Sequence, residues 1–129
     1  MDKGMTLNEY QEKAMQTCMP SCNNISYMLI NLVSEVGELA GKAAKALRKE
    51  EAIIRDNILM PKYLMEEECL EAFTDMRNEM ALEAGDALWQ LSGVIKRLGF
   101  SLEEVATMNL EKLADRAKRG KIEGNGDHR

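Results

Sequence analysis

Two long stretches of this chain repeat apolar residues every three or four positions, the spacing that forms one apolar face of an α-helix. The first begins at Ile25 and lasts about six turns. Its apolar positions are Ile25, Met28, Leu29, Leu32, Val33, Val36, Leu39, Ala40, Ala43 and Leu47. The second extends from Thr74 or Asp75 to Leu98, and its apolar positions are Met80, Ala84, Ala87, Leu88, Leu91, Val94, Ile95 and Leu98. The pattern predicts two long amphipathic helices.

A capping signal adds a shorter helix before them. Thr6 is followed three residues later by Glu9, a capping box that predicts a first helix over residues 7–18. Pro20 and the polar residues after it end that helix, because proline disfavours the helical conformation in the residue before it.

A second capping signal opens a helix near the end of the chain. Gly99 is placed to end the preceding helix, and Ser101 with Glu104 forms another capping box. We therefore expect a last helix over residues 102–118.

The segment between the two long helices, residues 48–77, has a different pattern. A patch of isoleucine, leucine and methionine precedes Pro61, and the acidic run Glu66–Glu68 follows it. We expect one or two short helices with a break near Pro61, and we interpret the acidic run as an exposed face. The predicted fold is all-α, a bundle of four main helices with an extra helical segment inserted. Residues 1–119 form its domain and residues 120–129 a glycine-containing tail.

Composition agrees with one helical domain and narrows the partners. Aromatic residues make up 5% of the 129 residues, and glycine and proline are few. The net charge of −5 argues against a nucleic-acid partner, and no apolar run approaches the roughly 18 residues of a membrane span. We expect a cytoplasmic protein. Its three cysteines, Cys18, Cys22 and Cys69, are predicted to be free thiols.

Four acidic residues flank the two long apolar stripes. Glu35 and Glu38 lie three residues apart in the first, and Glu83 and Asp86 lie three residues apart in the second. If the helices pack side by side, these carboxylates meet, and their repulsion favours a bound cation. Carboxylate oxygens suit Mg²⁺ or Mn²⁺. The Glu-x-x-His pattern of di-iron bundles is absent, because the single histidine, His128, is in the tail.

Each acid also has an ordinary structural interpretation. Glu38 precedes Lys42 by four residues, the spacing of a weak exposed ion pair, so spacing alone favours exposed helix faces over a metal site. Asp86 is the exception, because aspartate is unfavourable inside a helix and here precedes Ala-Leu-Trp in an apolar pattern. Trp89 itself is interpreted as a core residue.

The last predicted helix has a polar stripe at Asn109, Lys112 and Arg116 beside its apolar face. Cations near a helix C-terminus are also favoured by the helix dipole, so the stripe has both a structural and a functional interpretation.

The order of these motifs resembles a known family, the MazG-like all-α nucleoside triphosphate pyrophosphohydrolases. The motifs are Glu-x-Gly-Glu at 35–38, Glu-x-Gly-Asp-x-Leu-Trp at 83–89, Ser-Leu-Glu-Glu-Val at 101–105 and Asn-Leu-Glu-Lys-Leu at 109–113. The tail, at residues 119–122 and 124–129, resembles the ending of shorter phage and bacterial members. The resemblance covers most of the chain outside residues 48–77.

This resemblance implies a helical bundle that hydrolyses a nucleoside triphosphate between its α and β phosphates with Mg²⁺, giving a monophosphate and pyrophosphate. It also implies a homodimer or homotetramer, with the site completed at the subunit interface. The residues that match the family's metal-binding and catalytic acids are Glu35, Glu38, Glu83 and Asp86. The positions expected to contact the substrate are Asn109, Lys112, Arg116 and Lys42, of which Arg116 is the weaker match.

One departure, one rival acidic pair and two alternative functions stay open. The acidic pairs are separated by 44 residues, 39–82, where the family usually has a short connection. Glu68 and Glu71 form a rival pair but lack the Gly-Asp-x-Leu-Trp context. The first alternative function is a non-catalytic helical module for protein interaction or regulation. The second is a relative of the dimeric dUTP hydrolases or of phosphoribosyl-ATP pyrophosphohydrolase.

Overall fold

Four α-helices and one β-hairpin make up residues 3–120, the part of the chain that the computed structural model describes. The helices are α1, Leu7–Met15; α2, Ile25–Arg48; α3, Glu67–Arg97; and α4, Leu102–Arg119. The strands are β1, Ala52–Arg55, and β2, Ile58–Pro61, and a single 3₁₀ turn at Pro20–Cys22 precedes α2. The predicted all-α class is confirmed.

Both predicted capping boxes are present. The Thr6 hydroxyl accepts from the Glu9 backbone N–H and the Glu9 carboxylate accepts from the Thr6 N–H, and Ser101 and Glu104 repeat the arrangement at α4. Helix α1 ends at Met15 rather than at the predicted Cys18. The Thr17 hydroxyl donates to the Ala14 carbonyl at 2.7 Å, a local bond that competes with continuation of the helix.

Helices α2 and α3 pack against each other in antiparallel directions, in a register fixed by two contacts. At one end Met28 occupies the space above Gly93, where an added Cβ would lie 2.6 Å from the Met28 sulfur. Further along, Lys42 Nζ lies 3.6 Å from a carboxylate oxygen of Glu79. Because Met28 is only 1% exposed, this close approach belongs to the core.

The remaining elements cover the two ends of this helix pair. Helix α1 covers one end, where Ala14 and Met15 join Met28 and Val94 in a buried cluster. The hairpin covers the other end, where Ala46, Ala52 and Met76 form a second cluster with partly buried side chains around it.

The prediction of an extra helical segment between the long helices is wrong. A β-hairpin follows α2 instead. Strands β1 and β2 pair antiparallel and are joined by a two-residue turn at Asp56 and Asn57, with φ of 51° and 64°. Positive φ at both positions is the geometry of the tight turn that matches strand twist, and aspartate and asparagine tolerate it. The isoleucines of both strands favour the extended backbone.

Helix α3 begins at Glu67, about two turns before the predicted start at Thr74 or Asp75. Glu67 and Glu68 occupy its first turn, where the helix dipole favours negative charge, and both are exposed as predicted. The buried Cys69 thiol donates to the Glu51 carbonyl at 3.2 Å and so ties this turn to the segment entering the hairpin.

Three further expectations can be compared with residues 3–120. All three cysteines are free thiols, as predicted. Gly99, two residues after the end of α3, and Gly120, directly after α4, adopt φ of 86° and 69°, where left-handed backbone ends a helix. The predicted tail beyond Gly120 lies outside the described residues, so the division at residue 119 stays a prediction. None of the described helices combines the length and the apolar character needed to cross a membrane.

One glutamine ties α1 to the connection between α3 and α4. Gln11 is 7% exposed, and its Nε2 donates to the carbonyls of Ser92 at 3.2 Å and Phe100 at 3.3 Å. Its Oε1 accepts from the Leu102 backbone N–H at 3.1 Å. A single side chain therefore satisfies backbone groups on both sides of the turn.

We expect Gln11→Met, which keeps the size of the side chain, to lower the free energy of unfolding by about 2–4 kcal/mol, because it leaves buried backbone groups unpaired. Urea denaturation followed by circular dichroism measures this change. The matched control is Gln16→Met at an exposed position, for which we expect less than about 0.5 kcal/mol. Equal effects of the two substitutions would show that the Gln11 bonds are not stabilising.

Candidate metal centre

Three of the four predicted acids meet on one side of the α2–α3 pair. Glu35, Glu38 and Glu83 each offer a carboxylate oxygen, and these oxygens lie within 4.8 Å of one another. The antiparallel register explains the meeting, because it brings Glu38 to the level of Glu83 and Glu35 to the level of Asp86. The predicted convergence of two acidic pairs is therefore present in the structure for three of its members.

Asp86 lies at the edge of this cluster. It is exposed and is not among the acids that share the 4.8 Å limit. Its charge nevertheless helps to raise the pKa of both Glu35 and Glu83, which places it in their electrostatic neighbourhood.

Glu35 is the most constrained of the acids. Its Oε1 accepts a hydrogen bond from Asn31 Nδ2 at 3.2 Å. Its Oε2 is buried and has no hydrogen-bond partner within residues 3–120. Burial, followed by the charges of Glu38 and Asp86, raises the pKa of Glu35. A buried carboxylate oxygen without a donor is a favourable ligand for a cation.

Glu83 has a similar environment with one compensating charge. Its pKa is raised by burial and then by a carboxyl–carboxyl hydrogen bond with Glu38, whereas Lys42 lowers it. Lys42 lies within reach of both helices, since its ammonium group also pairs with Glu79 at 3.6 Å. The cluster therefore has more negative than positive charge close to it.

The donor set fits a hard divalent cation. Every ligand candidate is a carboxylate oxygen, and oxygen ligands suit Mg²⁺ or Mn²⁺ better than softer metals. A cation at this place would also reduce the repulsion that raises the two pKa values. The orphaned Glu35 oxygen and the charge of the cluster thus support the same interpretation.

The predicted substrate positions on α4 are placed differently. Asn109 is exposed, Lys112 is half-buried and Arg116 is 4% exposed. The charged and hydrogen-bonding groups that shift the pKa of Glu35 and Glu83 all belong to α2 and α3. Helix α4 packs on α1 and α3. The roles of these three residues toward a nucleotide stay predictions.

Two alternatives for individual residues can also be compared with the structure. The rival pair Glu68 and Glu71 is exposed near the start of α3 and is not part of the three-acid cluster. Trp89 packs against the buried cluster near Met28, and its Nε1 donates to the Ala14 carbonyl at 3.0 Å. Trp89 is thus a core residue, as predicted.

Sequence reasoning missed the groups that hold the acids in place. Asn31 precedes Glu35 by four residues, so helical spacing was available as a signal for their hydrogen bond. The pairing of Lys42 with Glu79 joins two helices and had no such signal, because it depends on the register between α2 and α3.

Comparison with known proteins identifies the class of this chain. A family model described as the MazG nucleotide pyrophosphohydrolase domain matches residues 23–120, a span that includes all four acids and the three α4 positions. The Gene 37 protein of Mycobacterium phage L5 is 31% identical over 109 residues, which cover 84% of this chain and 80% of the phage protein. No solved structure matches significantly. This chain belongs to the MazG nucleotide pyrophosphohydrolase family, whose members are in general metal-dependent.

The raised pKa values predict how the metal-free protein responds to pH. A carboxyl group with a raised pKa in the folded state binds its proton more tightly when folded. Its stabilising contribution is complete below the unfolded pKa of about 4.3 and is lost as pH rises through the folded pKa. Glu35→Gln removes this loss, so we expect it to raise the Tm in EDTA at pH 7 and to have a smaller effect near pH 4.

Differential scanning fluorimetry across this pH range measures the effect. Glu71→Gln, an exposed acid outside the cluster, is the control for the removal of one negative charge. A lower Tm for Glu35→Gln at pH 7 would contradict the repulsion inferred for the cluster.

Proposed function

We propose that this chain is a Mg²⁺-dependent nucleoside triphosphate pyrophosphohydrolase. It converts a ribo- or deoxyribonucleoside triphosphate and water into the monophosphate and pyrophosphate by cleavage between the α and β phosphates. One observation supports this proposal most directly. Carboxylate oxygens of Glu35, Glu38 and Glu83, on two helices of a MazG-family chain, lie within 4.8 Å of one another. Such a reaction suits housekeeping of the nucleotide pool, and a cytoplasmic location stays a prediction.

In this proposal Glu35, Glu38 and Glu83 hold the cation, and Asp86 completes the set from the edge of the cluster. Bound Mg²⁺, or Mn²⁺ in its place, supplies positive charge that offsets the triphosphate and acidifies water. Four carboxylates on two packed helices hold this position without relying on a mobile loop.

The chain's own groups then orient the reactants. The hydrogen bond from Asn31 fixes the Glu35 carboxylate. One of the glutamates accepts the proton of the attacking water, and a raised pKa brings such a base closer to the working pH. Lys42, next to Glu83, offsets charge on the phosphates. Asn109, Lys112 and Arg116 are proposed to contact the nucleotide from α4.

The proposed assembly is a homodimer, or a homotetramer built from such pairs. Leu29, Val33 and Val36 of α2 are 48%, 73% and 49% exposed in one chain, although they belong to its apolar stripe. Val36 lies about 160° around α2 from Glu38, so this face is on the flank away from the acids. On α3, Leu88 and Leu91 are 37% and 40% exposed, and each lies five residues, about 140° around the helix, after one of the acids Glu83 and Asp86. A second copy would cover this face and leave the acids accessible. Completion of the site by another subunit would then use the second interface of a homotetramer.

We expect the wild-type protein to release pyrophosphate from at least one member of a panel of ribo- and deoxyribonucleoside triphosphates with Mg²⁺. Asp86→Asn and Glu38→Gln remove charge from the proposed cation site, so each should lower kcat/KM by about a hundredfold or more. Glu71→Gln should retain wild-type activity. Circular dichroism and Tm show whether each variant is folded.

Different outcomes of this assay correspond to different functions. A folded wild-type protein that releases no pyrophosphate with Mg²⁺ or Mn²⁺ would favour the non-catalytic interaction module. Release confined to dUTP, or to phosphoribosyl-ATP assayed beside the panel, would favour the corresponding relatives. Full activity of both Asp86→Asn and Glu38→Gln would show that the acids are wrongly assigned.

The assembly is tested by Leu29→Glu, which places a charge in the centre of the apolar face. We expect it to convert the oligomer to a monomer, because a buried charge without a partner is strongly unfavourable at an interface. Size-exclusion chromatography with light scattering measures the mass. Met65→Glu, at a position 96% exposed outside this face, is the control. A monomeric wild-type protein would contradict the proposed assembly.

A further inference from the structure

One buried polar group on the flank of the acidic cluster has no partner. Gln90 is 5% exposed, and its Oε1 is buried without a hydrogen-bond partner within residues 3–120. Native proteins rarely leave such a group unpaired, and an exception calls for a specific cause. Because a carboxamide oxygen can only accept, the missing partner is a hydrogen-bond donor or a cation.

The position of Gln90 ties it to the proposed cation site. Gln90 follows Asp86 by four residues and Glu83 by seven, so the three side chains leave the same face of α3. The contact between Met28 and Gly93 sets the level of the opposite helix. Asn31 follows Met28 by three residues on α2, and Gln90 precedes Gly93 by three residues on α3.

The two carboxamides therefore lie at the same level of the helix pair, about one turn from Glu35 and Asp86 and about two turns from Glu38 and Glu83. Asn31 is already engaged with the cluster, since its Nδ2 donates to Glu35 at 3.2 Å. Helix α1 closes this end of the pair, because its Tyr10 packs against the cluster that contains Met28 and Val94. Along α3, Gln90 thus lies between Asp86 and Val94, whose end of the helix pair α1 covers.

The chemistry of the missing partner limits which chemical group of a ligand can bind Gln90 Oε1. A cation would bind the neighbouring carboxylates in preference to a neutral oxygen. A phosphate oxygen at neutral pH is an acceptor and cannot donate to Oε1. In a nucleoside triphosphate, the N–H and O–H donors belong to the base and the sugar.

We propose that Gln90 is a specificity residue that accepts a hydrogen bond from the nucleoside of the substrate, while the phosphates lie at the acidic cluster. This inference rests on the proposed function. The donor is either a base N–H or a sugar hydroxyl, and the test below separates these two sources.

The test begins with stability, because a structural glutamine and a ligand-binding glutamine differ there. An unpaired buried carbonyl stabilises nothing, so Gln90→Met should leave the Tm unchanged or raise it. Gln11→Met is the contrasting case, since Gln11 has its hydrogen bonds within the fold. Gln16→Met, at an exposed position, is the neutral control.

The second measurement is binding with Mg²⁺ present. The probes are the four ribonucleoside and four deoxyribonucleoside monophosphates and inorganic triphosphate, with Kd obtained by calorimetry. We expect Gln90→Met to weaken binding of at least one monophosphate by about tenfold and to leave the Kd of inorganic triphosphate unchanged. A loss shared by cytidine and deoxycytidine but absent for uridine points to a base amino group. A loss confined to the ribonucleotides points to the sugar.

Three results would overturn the inference. They are a clear fall in Tm for Gln90→Met, an equal loss of affinity for monophosphates and triphosphate, and no change in any Kd. A fall in Tm would assign the Oε1 bond to a buried water that belongs to the fold.

Failure of the proposed function is distinguishable from failure of this inference. If the wild-type protein releases no pyrophosphate but still shows the Gln90-dependent monophosphate binding, only the catalytic proposal fails. If it hydrolyses nucleotides and Gln90→Met has wild-type affinities, only the role of Gln90 fails.

Discussion

The packing of Met28 over Gly93 is the contact on which the rest of the structure depends. It lets α2 and α3 approach closely at one end and fixes which turn of α2 lies beside which turn of α3. Every functional juxtaposition follows from that register, including Glu38 beside Glu83 and Lys42 beside Glu79. A shift by one turn would separate the acids by about 5.4 Å along the helices. The chemistry of the site is therefore specified by a hydrophobic contact that takes no part in it.

The same register concentrates unfavourable groups at one place. Burial and neighbouring like charges raise the pKa of Glu35 and Glu83, and buried oxygens of Glu35 and Gln90 lack partners within the described residues. A fold optimised only for stability would remove these features. Their grouping on one flank is the feature that the proposed cation and nucleoside would account for. The opposite flank of α2 has exposed apolar side chains instead.

Local sequence patterns predicted much of this fold, whereas contacts between segments distant in sequence were harder to predict. The caps at Thr6 and Ser101 and the apolar spacing of α2 depend on neighbours in sequence, and they were predicted correctly. The hairpin was missed because its strands have four residues each and its Asp56-Asn57 turn lacks the usual glycine. The early start of α3 was missed because its first turn is acidic and resembles a loop. Val33 belongs to the apolar stripe of α2 but is exposed, because this stripe is wider than one neighbouring helix can cover.

The hairpin between α2 and α3 also has a consequence for how such chains are recognised. The helices are aligned by side-chain contacts such as Met28 with Gly93, not by the length of the segment that joins them. A connection of this kind can lengthen or shorten by evolution while the acids stay where they are. Sequence patterns that require a fixed number of residues between the two acidic motifs would therefore overlook relatives of this chain. Patterns that allow a gap at the hairpin would retain them.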